Sequence, residues 1–156
     1  MGQVIGSDGK NYAANATLPT GVTKVAMIAY VSGSNGLAIA LADEGEMNWA
    51  TAKSTCEAKT PAFTGGTWKL PSQSNWRDMF FANGGSSRFY SDLNGALATA
   101  GGNGSTLKED RSYWSSTMRG EVQAYYVNLN SRGGYADFSP ADVGNSTFLV
   151  RAVLEF

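Results

Sequence analysis

Two stretches of the sequence decide the fold: Trp68-Lys69-Leu70-Pro71-Ser72 and Tyr113-Trp114-Ser115-Ser116-Thr117. In the first stretch, the residue before Pro71 is biased toward extended backbone, which predicts a short extended segment. Ser72 is a favoured N-cap residue, so a helix is expected to begin directly after it. The second stretch begins with two aromatic residues and ends in a β-branched one, which predicts a short strand. The chain therefore combines helices and strands.

The spacing of apolar residues predicts three helices, at 49–58, at 73–82 and, from a weaker pattern, at 91–100. Asn48 and Ser72 are suitable N-caps for the first two. The apolar residues expected on the inner faces of these two helices are Trp49, Ala52, Cys56, Trp76, Met79 and Phe80. We expect all four tryptophans of the chain in the core, because each lies beside an apolar helix or strand position.

Apolar and β-branched runs predict strands at 22–31, 37–42, 113–117, 122–130 and 148–154. The first two strands would form a hairpin across the turn at 32–36. Residues 131–147 are polar and irregular, which predicts a loop. No repeat, linker or run of charge divides the chain. We therefore expect a single α+β domain over residues 1–156.

Side chains alternate in character along the predicted strand 122–130. Successive side chains of a strand point to opposite faces, so Tyr125, Val127 and Leu129 are expected to face the core. Tyr126 and Asn128 would then face the solvent. This strand is the first indication of where a binding surface lies.

The composition excludes several classes of function. With 12 Lys plus Arg and 13 Asp plus Glu, the net charge of −1 gives no general electrostatic attraction to nucleic acid. No apolar run is long enough to insert into a membrane. The chain has no His and one Cys, which removes the commonest general base and any Cys-based zinc site. Only 16% of the residues are charged, and the gap is filled by small polar residues, as in extracellular loop-rich proteins.

No pattern indicates catalysis, a metal site or a cofactor. Asp43, Glu44 and Glu46 form an acidic group, which we interpret as solvated surface. Cys56 lies on an apolar helix face, which predicts a buried, unreactive thiol. The glycine-rich stretch at 100–108 lacks the spacing of a phosphate-binding loop. We therefore expect a protein that is not an enzyme, with no metal and no cofactor.

The N-terminal stretch at 1–10 lacks the basic and then apolar pattern of a secretory signal. Two explanations stay open. The chain is exported without such a signal, or it is a domain of a longer protein, and we favour the second.

The order of these motifs resembles the C-type lectin fold, over about residues 22–156. The matching residues are Trp49, Ala52, Cys56, Trp68, Leu70, Pro71, Ser72, Tyr113 through Thr117, Val150, Arg151 and Val153. The resemblance implies chain ends that lie close together, with strand 22–31 paired to strand 148–154. The second half-cystine and the calcium-site motifs of sugar-binding members are absent, so calcium-dependent sugar binding is not implied.

A narrower resemblance is to the bacterial and phage variable proteins that retroelements diversify. It rests on Tyr113 through Thr117, the Val127-Asn128-Leu129-Asn130 segment and the closing stretch 150–156. In that family, adenines of AAC or AAT codons are randomised, and such codons cannot yield Lys, Glu, Gln, Met or Trp. None of these five types occurs in residues 124–154. The resemblance implies a variable region at about 113–150.

Aromatic and arginine side chains within polar segments favour binding, because they offer large contact area with polar ends. We predict one ligand-binding surface from Arg119, Tyr126, Asn128, Arg132, Tyr135, Asp137, Phe138, Asp142 and Phe148. The function predicted is receptor binding through a hypervariable face, by a phage tail or bacterial surface protein. The alternative is a non-diversified surface or pilus-tip module that binds glycans. The expected partner is a protein or glycan on a target cell, the expected location is extracellular, and a homotrimer is left open.

Overall fold

A computed structural model describes all 156 residues. In chain order the elements are β1 (Val4–Gly6), β2 (Asn11–Tyr12), β3 (Lys24–Ser32), β4 (Asn35–Ala40), β5 (Gly45–Met47), α1 (Trp49–Glu57), β6 (Thr67–Lys69), α2 (Gln73–Gly84), α3 (Ser91–Gly101), a short 3-10 helix (Asn103–Ser105), β7 (Ser112–Arg119), β8 (Gln123–Asn130), β9 (Tyr135–Asp142), β10 (Phe148–Val150) and β11 (Val153–Glu155). The expected α+β class is confirmed.

The three helices lie where they were predicted, and their ends follow local chemistry. The Asn48 side chain accepts a hydrogen bond from the Thr51 N–H at 2.9 Å and so caps α1. Ser72 and Asn75 form a reciprocal capping box at the start of α2. Gly85 ends α2 in the left-handed conformation at φ 68°, which glycine adopts without strain.

The strands form two sheets. The first has six strands in the order β2-β1-β3-β4-β11-β6, and the second has five in the order β5-β10-β7-β8-β9. All neighbours are antiparallel except β10 and β7. One apolar cluster packs α2 and α3 between the two sheets, and the other packs α1 against their opposite faces. Adjacent buried side chains along a strand therefore pack alternately into one cluster and the other.

The tryptophans occupy the core much as expected. Trp68, Trp76 and Trp114 are buried, whereas Trp49 is half-buried. Cys56 is also buried, and burial raises the pKa of its thiol to about 12. The thiol is thus protonated at neutral pH, as its apolar helix face predicted.

The predicted strand 148–154 is in fact two strands that lie in different sheets. β10 belongs to the second sheet and β11 to the first, and the chain crosses between them at Arg151 and Ala152. The expected pairing of 22–31 with 148–154 is therefore wrong, because β4 lies between β3 and β11. Strands β1 and β11, from the two ends of the chain, share the first sheet, with β3 and β4 between them.

Arg151 lies at this crossing and binds three separate segments of the chain. Its side chain is 1% exposed and its Nε donates to Asp43 Oδ1 at 2.7 Å. Its two terminal nitrogens donate to the carbonyl oxygens of Ala40, Ser105 and Thr106 at 2.8–3.1 Å. The guanidinium thus joins β4, the segment before β5 and the 3-10 helix. Asp43 is consequently a structural acid with a side chain 11% exposed, which corrects its interpretation as solvated surface.

Glu44 also departs from that interpretation. Its carboxylate pairs with Lys59, and both side chains are largely buried. Only Glu46 of the acidic group is well exposed, and it pairs with Arg111 at 2.7 Å.

The predicted loop 131–147 contains the full-length strand β9. It pairs with β8 from Asn130 opposite Tyr135 to Gln123 opposite Asp142. Gly133 and Gly134, at φ 85° and 70°, reverse the chain between the two strands. The prediction of a loop over 131–147 is therefore wrong, because β9 is an edge strand and carries many polar residues.

One edge of β9 is free of a neighbouring strand. Its first part is covered, because the Ala136 N–H donates to the Arg88 carbonyl at 2.7 Å. By strand alternation, the amide positions of Phe138 and Pro140 are directed to the same edge. Pro140 has no N–H to donate there.

We expect Arg151→Ala to lower the free energy of unfolding by about 3–5 kcal/mol, because it leaves Asp43 and three carbonyl oxygens without their buried partner. The matched control is Arg111→Ala, which removes an exposed ion pair with Glu46 and should cost less than about 1 kcal/mol. Urea unfolding of both variants measures the difference. Equal losses would contradict the structural role of Arg151.

Candidate recognition surface

The outer face of β8 and β9 presents a row of polar side chains. Val127 and Leu129 are fully buried, whereas Asn128 between them is exposed, so the predicted alternation is confirmed for these three residues. Tyr126, which was expected to face the solvent, is half-buried and packs against an apolar cluster. Asn128 lies opposite Ser112 of β7 on one side and Asp137 of β9 on the other. Polar groups from three adjacent strands therefore lie side by side.

Aromatic rings flank this polar row. The ring centroids of Tyr126 and Phe148 are 4.4 Å apart, and those of Phe148 and Trp114 are 4.6 Å apart. Trp114 is fully buried and its Nε1 donates to the Met47 carbonyl at 2.9 Å. The rings of Tyr126 and Phe148 are thus half-buried on a fixed base. We call Tyr126, Asn128, Asp137, Ser139 and Phe148 the sheet face.

Four of the nine predicted residues meet on the sheet face: Tyr126, Asn128, Asp137 and Phe148. Tyr135 lies at the end of the same strand face, 46% exposed, with its ring centroid 4.8 Å from that of Phe89. Tyr135 therefore lies at the margin of the sheet face, beside the turn that joins β8 and β9.

Phe138 does not belong to this surface, which corrects its prediction. It lies opposite Val127 in the register of β8 and β9, so both side chains point to the other side of the sheet. There it packs against the apolar core, with the Arg77 guanidinium 5.0 Å from its ring centroid. The error follows from taking 131–147 as a loop, for which no alternation could be applied.

The remaining three predicted residues lie at the two ends of the strands. Arg132 is in the turn between β8 and β9, where its backbone N–H donates to Asn130 Oδ1 at 2.8 Å. Arg119 and Asp142 lie at the opposite end of the strands, where each is paired with Gln123 of β8. The Asp142 carboxylate accepts the N–H groups of Gly144 and Asn145, so it holds a turn. The nine residues therefore do not converge on one surface.

Ser112 and Ser139 complete the polar row and were not predicted. A signal for Ser139 existed in Tyr135-Ala136-Asp137-Phe138-Ser139, which alternates in polarity with a period of two. Applied there, the alternation would have placed Ser139 with Asp137 and separated both from Phe138.

The side chains of Asn128 and Asp137 are free to bind a ligand. The side-chain hydrogen bonds of this region belong to their neighbours Asn130 and Asp142. An amide, a carboxylate and the Ser139 hydroxyl together can donate to and accept from polar ligand groups. No group of three or more His, Cys, Asp or Glu side chains is placed to hold a metal ion. No helix has the length and apolar character that crossing a membrane needs.

Comparison with known proteins gives a likeness of fold. No family model matches the chain, and no curated protein matches it. Among solved structures, the fold is similar to a fimbrial protein from Bacteroides ovatus ATCC 8483, with a TM-score of 0.71 and 15% sequence identity. The alignment covers 99% of this chain and 48% of that protein, so the chain spans about half its length. At this identity the likeness establishes a shared fold.

We expect Phe148→Ala to lower the free energy of unfolding by about 2 kcal/mol, because the ring packs between Trp114 and Tyr126. Tyr135→Ala should cost less than about 1 kcal/mol, because it loses one exposed ring contact. Thermal unfolding of the two variants makes the comparison. A larger loss for Tyr135 would place its ring in the core and remove it from the candidate surface.

Proposed function

We propose that this chain is a recognition module of a bacterial surface assembly and that its sheet face binds the ligand. The observation that carries the proposal is the pairing of Asn128 with Asp137, two exposed polar residues directly opposite each other. The neighbouring side chains on the other side of these strands are buried. Strands hold side chains at fixed spacing, so little conformational entropy of the protein is lost when a ligand binds. The flanking rings of Tyr126 and Phe148 add apolar contact area.

The fimbrial likeness supports adhesion at the cell surface as the setting. The order of helices and strands and the motifs at 68–72 and 113–117 support the finer proposal that the scaffold is C-type lectin-like. The ligand class that fits the face is a protein or a glycan, since both offer hydroxyl, amide and carbonyl groups to Asn128 and Asp137. Binding there involves no chemical step.

The test is a binding screen of the labelled full chain against immobilised glycans and extracellular-matrix proteins. We expect Asn128→Ala to weaken capture of the best probe by about tenfold, as loss of a central contact does. The matched control is Asn15→Ala, which changes an exposed asparagine in a turn near the start of the chain and should bind like the wild type. Equal binding by all three proteins would contradict a role for the sheet face.

Retroelement diversification is a second, more specific proposal for the same face. Tyr126, Asn128, Asp137 and Ser139 are all types that randomised AAC or AAT codons can encode, and 124–154 holds none of the five excluded types. Buried scaffold residues alternate with these positions, so the face could vary without loss of the core. A homotrimer and a place on a phage virion stay predictions of that resemblance.

Sequencing the DNA that flanks the coding region tests this second proposal. We expect a near-identical repeat of the segment encoding 113–150, with adenines at the codons for Tyr126, Asn128 and Asp137, and a reverse transcriptase gene beside it. Flanking DNA without the repeat would leave a non-diversified adhesion module.

A further inference from the structure

A cavity lies behind the sheet face, on the other side of β8 and β9. It opens between α2, the segment after that helix, and the edge strand β9, and its volume is about 540 Å³. That volume falls within the roughly 300–1,000 Å³ of small-molecule sites. The residues that matter for its chemistry are Gln73, Arg77, Arg88, Tyr125 and Phe138.

Two arginines of this cavity are without acidic partners. The salt bridges of the protein use other cations, namely Lys59, Lys69, Lys108, Arg111 and Arg151. The Arg77 guanidinium lies over the Phe138 ring, 5.0 Å from its centroid. Stacking of this kind positions a guanidinium while leaving its N–H groups in the plane free to donate. Arg77 is therefore oriented and still able to bind an anion.

The charge inside the cavity is positive. Asp137 also borders it, but strand alternation directs the Asp137 carboxylate to the sheet face, opposite Asn128. The other polar groups of the wall are neutral: the Gln73 amide and the hydroxyls of Ser87 and Tyr125. Two guanidinium groups beside neutral hydrogen-bonding groups and an aromatic ring match a ligand that has one carboxylate and several hydroxyls.

We propose that this cavity binds an acidic sugar, a saccharide ring that bears a carboxylate. Arg77 and Arg88 hold the carboxylate through charge-assisted hydrogen bonds, which arginine makes in pairs. Gln73 and Tyr125 bind ring hydroxyls. This site goes beyond the proposed function, because the cavity and the sheet face use opposite sides of the same two strands.

The experiment titrates the ¹⁵N-labelled full chain with sodium glucuronate and follows its backbone amide signals. We expect shifts confined to α2, residues 87–88 and residues 136–138, and weaker binding at higher salt, because both arginines are exposed. Glucose should produce no such shifts. Sodium sulfate, the bare anion, should bind at least about tenfold more weakly, since it lacks the hydroxyl contacts.

Single substitutions locate the site. Arg77→Gln and Arg88→Gln should each weaken glucuronate binding by about tenfold, the loss of a charge-assisted contact. The matched control Lys10→Gln removes the same charge from an exposed position in the turn between β1 and β2, and should leave binding unchanged. All three sites are exposed, so the amide spectra should otherwise match the wild type.

Three results would overturn the proposal: no shifts with glucuronate, equal binding of sulfate and glucuronate, or equal weakening by Lys10→Gln. Asn128→Ala separates this site from the proposed function. It should retain glucuronate binding even where it loses capture in the glycan and protein screen, so either proposal can fail alone.

Discussion

The buried guanidinium of Arg151 is the interaction on which the arrangement of the two sheets depends. It binds one carboxylate and three carbonyl oxygens from three separate segments, at the point where the chain leaves one sheet for the other. Each of those oxygens would be costly to bury unpaired. Because Asp43 also accepts from the Tyr113 hydroxyl at 3.2 Å, the same contact fixes the start of β7. The position of β8 and β9, which follow β7 in the sheet, is set in turn.

Strand alternation places the two candidate sites on opposite sides of β8 and β9. Asn128 and Asp137 lie on the outer side, and Tyr125 and Phe138 lie on the side of α2. The sheet face is thus built on strands that the core supports, whereas the cavity adds Arg77 from α2 and Arg88 from the turn after that helix. A change on one side leaves the other side and the buried residues between them in place.

The helices could be predicted from sequence because their signals are local. Asn48 and Ser72 cap within three residues, and the apolar spacing repeats over each helix. Pairing of distant strands carries no such signal, so the position of β4 between β3 and β11 was missed. Of the candidate site, Tyr126 and Asn128 followed from alternation, whereas Phe138 was placed on the wrong side. Arg77 and Arg88 meet the strand only in three dimensions, beyond the reach of spacing arguments.

Pro140 has a consequence for how copies of this domain behave when crowded together. An open strand edge is a template on which a second copy can add its own strand. The covered first part of β9 and the missing N–H at Pro140 interrupt that template beside the sheet face. Two copies that meet along this edge of β9 therefore find no continuous row of N–H donors on which to pair, and the sheet face beside that edge stays exposed.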